Sequence, residues 1–202
     1  MKIKMCGLTR FKDILCVNQL RPDYIGFVFW PESRRFVTRA QAVRLKALLS
    51  PAIRAVGVFV DTPMEEVAGL LSEDVIDIAQ LHGRESEEDI RYLQAVTCRP
   101  VIKAVKVQGR SDVEAWLDSA ADYLLFDSGM GSGQTFDWSL LQGVNRPYFL
   151  AGGLGPDNLE QVLRHIGPYG IDLSSSLETN GRKDPEKMRR VMELVSRTFT
   201  ER

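Results

Sequence analysis

The chain has 202 residues, of which 26 are Lys or Arg and 27 are Asp or Glu, so its formal net charge is −1. A domain of this length buries enough surface to fold without disulfides or metal ions. The balanced charge argues against nucleic acid or an anionic membrane surface as a partner, and it favours a small metabolite.

The cysteines and histidines suit neither a disulfide framework nor a structural zinc site. Cys6, Cys16 and Cys98 lie far apart without a CxxC pair, and His82 and His165 are remote from them. The first residues lead directly into a strand pattern, and no window reaches about 18 uninterrupted apolar residues. We therefore expect a cytoplasmic protein without a membrane span.

Eight short runs rich in β-branched or aromatic residues alternate along the chain with segments whose apolar residues recur at helical spacing. The predicted strands cover residues 2–6, 24–29, 54–60, 76–81, 101–107, 123–127, 148–152 and 170–174.

Most of the intervening segments carry a helix start signal. These signals are Thr9, Thr38, Thr62 with Pro63, Ser86, Ser111, Pro156, and Asp184 with Pro185. The segment "FDWSLLQGV" after the sixth strand offers only a turn or two of helix.

Eight strand-and-helix units predict an α/β fold, a single-domain (β/α)₈ TIM barrel of near-minimal length that spans residues 1–202. A doubly wound open sheet is the competing architecture. Its first strand should lead into a G-x-G-x-x-G turn, whereas the first turn here reads "CGLTR".

Enzymes with this fold build their sites from the loops at the C-terminal ends of the strands. Each polar residue found there also has a structural interpretation. A lone buried cysteine such as Cys6 is usually a small apolar core residue, adjacent arginines such as Arg34 and Arg35 are usually solvated, and Asp127 could cap a loop.

Two glycine- or serine-rich loops follow the seventh and eighth strands. They read "AGGLGPDN", residues 151–158, and "SSSLETNG", residues 174–181. Glycines let a backbone approach a ligand closely, and N–H groups at the start of a helix bind anions. In a barrel, this pair of loops indicates a phosphorylated ligand.

The strand ends resemble those of the phosphoribosylanthranilate isomerase family of tryptophan biosynthesis. The matching segments, in order, are "KMCGLT", "GFVFWPESRR", "VGVFV", "QLHG", "IKAV", "FDSGMGSGQTFDW", "AGGL" and "IDLSSSLE" with "GRKD". The resemblance implies a TIM barrel and an Amadori rearrangement, in which the aminoaldose N-(5-phosphoribosyl)anthranilate becomes the aminoketose 1-(2-carboxyphenylamino)-1-deoxyribulose 5-phosphate. It implies no metal and no cofactor.

The resemblance also implies roles for particular residues. Cys6 would be the general base and Asp127 the general acid. An ordinary thiol is mostly protonated at neutral pH, so Cys6 needs help, for which Arg35 is the candidate. The expected substrate-binding residues are Arg35, which would bind the anthranilate carboxylate, His82 and Asp172. The expected phosphate-binding residues are Gly152, Gly153, Ser175 and Ser176.

One departure from the family pattern concerns Ser176, because the family commonly has glycine there. A serine would be strained if the position required a positive φ. Met5 and Ser128 are milder departures. The glycine-rich stretch 128–136 is expected to form a lid that closes over the substrate.

Two other functions stay open. The related sugar isomerase of histidine biosynthesis carries an aspartate where Cys6 stands. A phosphate-binding barrel without catalysis is the non-enzymatic alternative, although it would not need both Cys6 and Asp127. A phosphosugar is the expected partner, and the chain could be a monomer or a homodimer.

Overall fold

The computed structural model describes residues 1–128 and 135–200. Eight parallel strands close into a barrel in chain order, and the last strand pairs back to the first. The strands are β1 (Lys2–Cys6), β2 (Tyr24–Val28), β3 (Arg54–Phe59), β4 (Ile78–Leu81), β5 (Val101–Lys106), β6 (Tyr123–Asp127), β7 (Tyr148–Leu150) and β8 (Gly170–Leu173). The barrel prediction is confirmed.

The helices pack around the outside of the barrel. They are α1 (Phe11–Leu20), α2 (Arg39–Lys46), α3 (Met64–Ser72), α4 (Glu87–Thr97), α5 (Arg110–Glu114), α6 (Leu159–His165) and α7 (Pro185–Thr200). Between β6 and β7 the described chain forms only a 3₁₀ turn, Trp138–Leu141, as the weak pattern there predicts. None of the helices in the described part is long and apolar enough to cross a membrane.

Three helices begin elsewhere than their sequence signals predict. Asp13 accepts hydrogen bonds from the backbone N–H groups of Thr9 and Arg10, so Arg10 rather than Thr9 caps α1. Asp112 makes the same kind of contact at α5, which is capped by Gly109. In both helices a carboxylate within the first turn accepts from the unpaired N–H groups just before the helix, and this contact sets the residue at which the helix begins.

The third difference is at α6, which begins at Leu159 rather than at Pro156. Asn158 ties the intervening turn together, because its side chain accepts from the Gly155 N–H and donates to the Gly153 carbonyl. The loop after β7 is therefore longer than predicted, and it has room to surround a ligand.

Apolar side chains fill both layers of the fold. A large cluster lies between the strands and the helices, and a smaller one, which includes Tyr24, Val56, Ile102 and Phe149, fills the barrel interior. Above this inner apolar cluster, at the C-terminal ends of the strands, polar residues line the barrel. This change leaves the barrel mouth open to a ligand.

Candidate active site

One cavity of about 180 Å³ opens at the C-terminal ends of the strands. It is lined by every site residue that the sequence predicts, namely Cys6, Arg35, His82, Asp127, Gly152, Gly153, Asp172, Ser175 and Ser176. These residues come from six strands or their loops, so only closure of the barrel brings them together.

Cys6 is the last residue of β1, and its side chain is turned into the cavity. It is only 7% exposed and packs against Val28 and Val58. A Cβ atom at Gly26, the neighbouring residue on β2, would lie 2.5 Å from the Cys6 Sγ. The glycine therefore makes the space that the sulfur occupies. Burial raises the pKa of the Cys6 thiol, and the ammonium of Lys4 opposes this effect.

Lys4 precedes Cys6 by two residues on β1, and it is completely buried. Its Nζ is 2.9 Å from the Oδ2 of Asp172 on β8. Burial disfavours the ammonium, but Asp172 and Cys6 outweigh it and raise the pKa of Lys4. The sequence interpretation missed Lys4. The signal was present, because Lys4 and Cys6 are two residues apart on a strand and so share a face.

Asp127 is the last residue of β6, and it is paired with His82 at the end of β4. The His82 Nε2 lies 3.5 Å from the Asp127 Oδ2. On the other side of the ring, the Gln80 Nε2 lies 3.1 Å from Nδ1. Since an amide N–H donates to Nδ1, the neutral imidazole carries its proton on Nε2, which faces Asp127. Gln80 is a second residue that sequence reasoning missed.

The loop that carries His82 is fixed from beneath by a buried ion pair. The Lys103 Nζ lies 2.9 Å from the Glu85 Oε2 and donates to the Gly83 carbonyl. Glu85 also accepts hydrogen bonds from the backbone N–H groups of Gly83 and Asp61. The loops after β3 and β4 are thereby joined, and His82 is held in place.

Arg35 reaches the cavity from the loop after β2, but its guanidinium is already engaged. Its Nε and Nη2 donate to the two carboxylate oxygens of Glu178, at 2.6 and 3.0 Å. The Lys183 Nζ contacts the same carboxylate at 2.7 Å. Burial disfavours the charge on Glu178, but Arg35 and Lys183 outweigh it and lower the pKa of Glu178. Neither Glu178 nor Lys183 was predicted as a site residue.

The loops after β7 and β8 present backbone N–H groups to the cavity. Gly152 and Gly153 have φ values of +82° and +62°, which glycine adopts without strain. In the described residues, no hydrogen-bond acceptor faces the backbone N–H of Gly153, Ser175 or Ser176. Three such donors around one space form an anion-binding arrangement.

Ser176 is not strained by its side chain. It lies in the 3₁₀ turn Ser175–Leu177 and is not among the residues with positive φ. Its Oγ is buried, as is the Oδ1 of Asp172, and neither atom has a hydrogen-bond partner among the described residues. Both residues line the cavity.

The predicted lid at 128–136 falls largely on residues 129–134, which lie outside the described residues. Among the described residues, no group of three or more His, Cys, Asp or Glu side chains is placed to hold a metal ion.

A family model described as "N-(5'phosphoribosyl)anthranilate (PRA) isomerase" matches residues 3–194, nearly the whole chain. The chain belongs to this isomerase family. A relative from Endomicrobium trichonymphae, named N-(5'-phosphoribosyl)anthranilate isomerase, is 41% identical over 199 residues, which cover 96% of this chain and 98% of the relative.

Solved structures of the isomerase family have the same fold as this chain. The phosphoribosyl anthranilate isomerase of Thermus thermophilus is 37% identical and superimposes with a TM-score of 0.89, covering 98% of this chain and 99% of its own. Another family structure is 32% identical with a TM-score of 0.87, covering 97% and 98%. That protein is in complex with reduced 1-(o-carboxyphenylamino)-1-deoxyribulose 5-phosphate.

Proposed function

We propose that this chain isomerises N-(5'-phosphoribosyl)anthranilate to 1-(2-carboxyphenylamino)-1-deoxyribulose 5-phosphate, with Asp127 as the general acid and Cys6 as the general base. The observation that carries the proposal is a single cavity that holds a thiol, a carboxyl group and two loops with unpaired backbone N–H groups. The family of the chain fixes the reaction class, and the cavity supplies the groups that the reaction needs.

The reaction needs two proton transfers. Asp127 protonates the furanose ring oxygen, so that the C1–O bond breaks and a protonated Schiff base forms between C1 and the anthranilate nitrogen. Cys6 then removes the proton from C2, which gives an enolamine that tautomerises to the ketone. Hydrogen is transferred only as protons and the C1–O bond opens within the substrate, so this chemistry requires neither a metal ion nor a redox cofactor.

The contact between His82 and Asp127 suits the first proton transfer. Once Asp127 has lost its proton to the ring oxygen, a carboxylate remains in a largely buried position. The Nε2–H of His82 faces that carboxylate and stabilises it as the charge develops. His82 thereby serves the acid, in addition to lining the substrate cavity.

The phosphate of the substrate fits the loops after β7 and β8. Gly153, Ser175 and Ser176 offer backbone N–H donors, and the positive φ of Gly153 lets the backbone come close. Lys187 and Arg190 of α7 border the outer side of the same loops, where their positive charge attracts an anion.

The anthranilate ring fits the opposite part of the cavity. Trp30, Val28 and Val58 form an apolar wall next to Cys6. Arg35 lines the same cavity and would bind the carboxylate of the ring. Asp172 lines the same cavity, where its carboxylate would face the sugar of the substrate.

The test is direct turnover. Purified protein should consume phosphoribosylanthranilate, made in place from anthranilate and phosphoribosyl pyrophosphate by the preceding transferase, with loss of the anthranilate-type fluorescence. A parallel assay with the aminoaldose of histidine biosynthesis tests the related isomerase activity. Binding of the product analogue without turnover of either sugar would leave a phosphate-binding barrel and overturn the proposal.

We further propose that residues 1–202 act as one catalytic domain in the cytoplasm, as monomer or homodimer. The three cysteines are free thiols, which suits a reducing compartment.

A further inference from the structure

We propose that Lys4 is the positioning residue that stabilises the thiolate of Cys6, with Asp172 holding the ammonium beneath the sulfur. The inference rests on the proposed role of Cys6 as the base. It explains how a buried thiol can accept a carbon-bound proton. It also assigns the stabilisation of the thiolate to Lys4 rather than to Arg35.

Lys4 differs from the exposed cations of the chain in two ways: it is buried, and it lies on the same strand as Cys6. Lys4 and Cys6 lie two residues apart on β1, so their side chains share the inner face of the barrel. Lys4 has no exposed surface, and its Nζ is anchored 2.9 Å from the Asp172 Oδ2. Because no water screens this ammonium, its effect on the sulfur is stronger than that of an exposed lysine.

Arg35 and Lys183 are less suited to the same role because they share another partner. Both donate to the Glu178 carboxylate, and Lys183 also donates to the Ser174 carbonyl. The Glu178 carboxylate therefore largely neutralises the positive charges of Arg35 and Lys183, which weakens their effect on the Cys6 thiol. Asp172 contacts the Lys4 ammonium through one oxygen only, and the positive charge of Lys4 lowers the pKa of the Cys6 thiol.

The charged groups that act on the thiol come from three strands. They are Lys4 on β1, Asp172 on β8 and Lys183 in the short strand Arg182–Lys183, whereas β2 and β3 contribute Val28 and Val58. Burial raises the pKa of Cys6, Lys4 and Lys183 lower it, and Asp172 raises it. Removing Lys4 should therefore raise the pKa of the thiol, and neutralising Asp172 should lower it as long as Lys4 keeps its proton.

The experiment measures the ionisation of Cys6 without substrate. In a Cys16→Ala, Cys98→Ala background, the rate of alkylation by iodoacetamide is followed against pH, so that only the Cys6 thiolate is detected. Lys4→Met should shift the midpoint upward and leave about tenfold less thiolate at neutral pH, which corresponds to one pKa unit. The matched control is Lys2→Met, which removes the same charge from the same strand at a half-exposed position paired with Asp23.

A second pair of variants covers the case in which Lys4→Met does not fold, since it leaves Asp172 buried without its partner. Asp172→Asn should shift the midpoint downward, and Lys4→Met added to Asp172→Asn should shift it upward again. A folded Lys4 variant with the alkylation midpoint of its parent would overturn the inference, as would equal shifts in Lys2→Met and Lys4→Met.

Turnover separates this inference from the proposed function. If Cys6→Ala kept its activity, the assignment of the base would fail, whereas the alkylation midpoints would still decide whether Lys4 acts on the sulfur. If both hold, the alkaline limb of the kcat/KM profile moves to higher pH in Lys4→Met. A loss caused by misfolding or poor packing would not move that limb.

Discussion

Cys6 and Asp127 must exchange their ordinary protonation states for the reaction to begin. A thiol is normally protonated at neutral pH and a carboxyl group is normally ionised, whereas the proposed reaction needs a thiolate and a carboxylic acid. Between the two pKa values the pair shares one proton, and the fraction in which Asp127 holds it does not change with pH.

This arrangement predicts a flat kcat/KM profile around neutral pH and a decrease at high pH. The decrease follows the loss of the shared proton, and burial places it above 9.0, the ordinary value for Cys6, because burial raises the pKa of the thiol. Initial rates between pH 5 and pH 10 provide the measurement. An alkaline limb well below pH 8 would contradict the raised pKa.

Removal of either proton-transfer group should nearly abolish turnover. We expect Cys6→Ala and Asp127→Asn each to lower kcat by about 100-fold or more, as for other positioned acids and bases. The fluorescence assay measures the loss, and equilibrium binding of the product analogue shows whether the site is intact. Cys16→Ala is the control, because Cys16 is a half-buried thiol on α1 away from the cavity. Activity close to wild type in either variant would assign the proton transfer to another group.

The loop after β7 must approach the acid closely. Gly152 has a φ of +82°, and a Cβ atom there would lie 2.6 Å from the Asp127 Oδ1 and 2.2 Å from the Ser128 Oγ. The left-handed backbone and the lack of space both require glycine at this position. The same loop, which carries the proposed phosphate donors, therefore also packs directly against the carboxyl group of Asp127.

We predict that Gly152→Ala lowers kcat by about 10-fold to 100-fold, because it displaces the acid by a fraction of an ångström or more. Gly143→Ala is the matched control, since Gly143 has a φ of +78° with no atom within 4 Å of the added Cβ. Both variants bear the same backbone strain and should lose similar thermal stability. Equal losses of kcat in the two variants would show that strain, rather than contact with Asp127, is responsible.

The elements themselves were predictable to different degrees. All eight strands could be located from runs of β-branched and aromatic residues, since such runs are short and bounded by polar residues. The starts of α1 and α5 could not, because Asp13 and Asp112 bind N–H groups just before the helix and so set its first residue. Whether such a contact forms depends on local geometry that residue types do not specify.

At the scale of the molecule, ligand binding couples the loops around the barrel mouth to global stability. The site draws on strands from both halves of the chain, so unfolding of the barrel destroys it. A ligand that binds only the folded state stabilises it by about 2.7 kcal/mol at 100 times its Kd.

We therefore predict that the reduced aminoketose phosphate, the compound bound in the solved relative, raises the Tm at saturating concentration. For a domain of this size, each kcal/mol raises Tm by about 2–4 °C, so the expected shift is about 5–10 °C. Differential scanning calorimetry provides the measurement, with inorganic phosphate at the same concentration as the control. An equal shift with phosphate alone would show that the cavity does not recognise the aryl and sugar groups.

The sequence by itself determined the barrel, the family and nine of the eighteen residues that line the cavity, because strand ends and loop motifs are local patterns in the chain. The tertiary structure alone decided how those residues are paired. The sequence nominates Arg35 as the residue that helps the thiol. The structure adds that Arg35 is paired with Glu178 and that the buried Lys4 shares the inner face of β1 with Cys6. Such pairings join residues that are up to 168 positions apart, as in Lys4 and Asp172. Their energies depend on burial and distance, and both are set only when the eighth strand closes on the first.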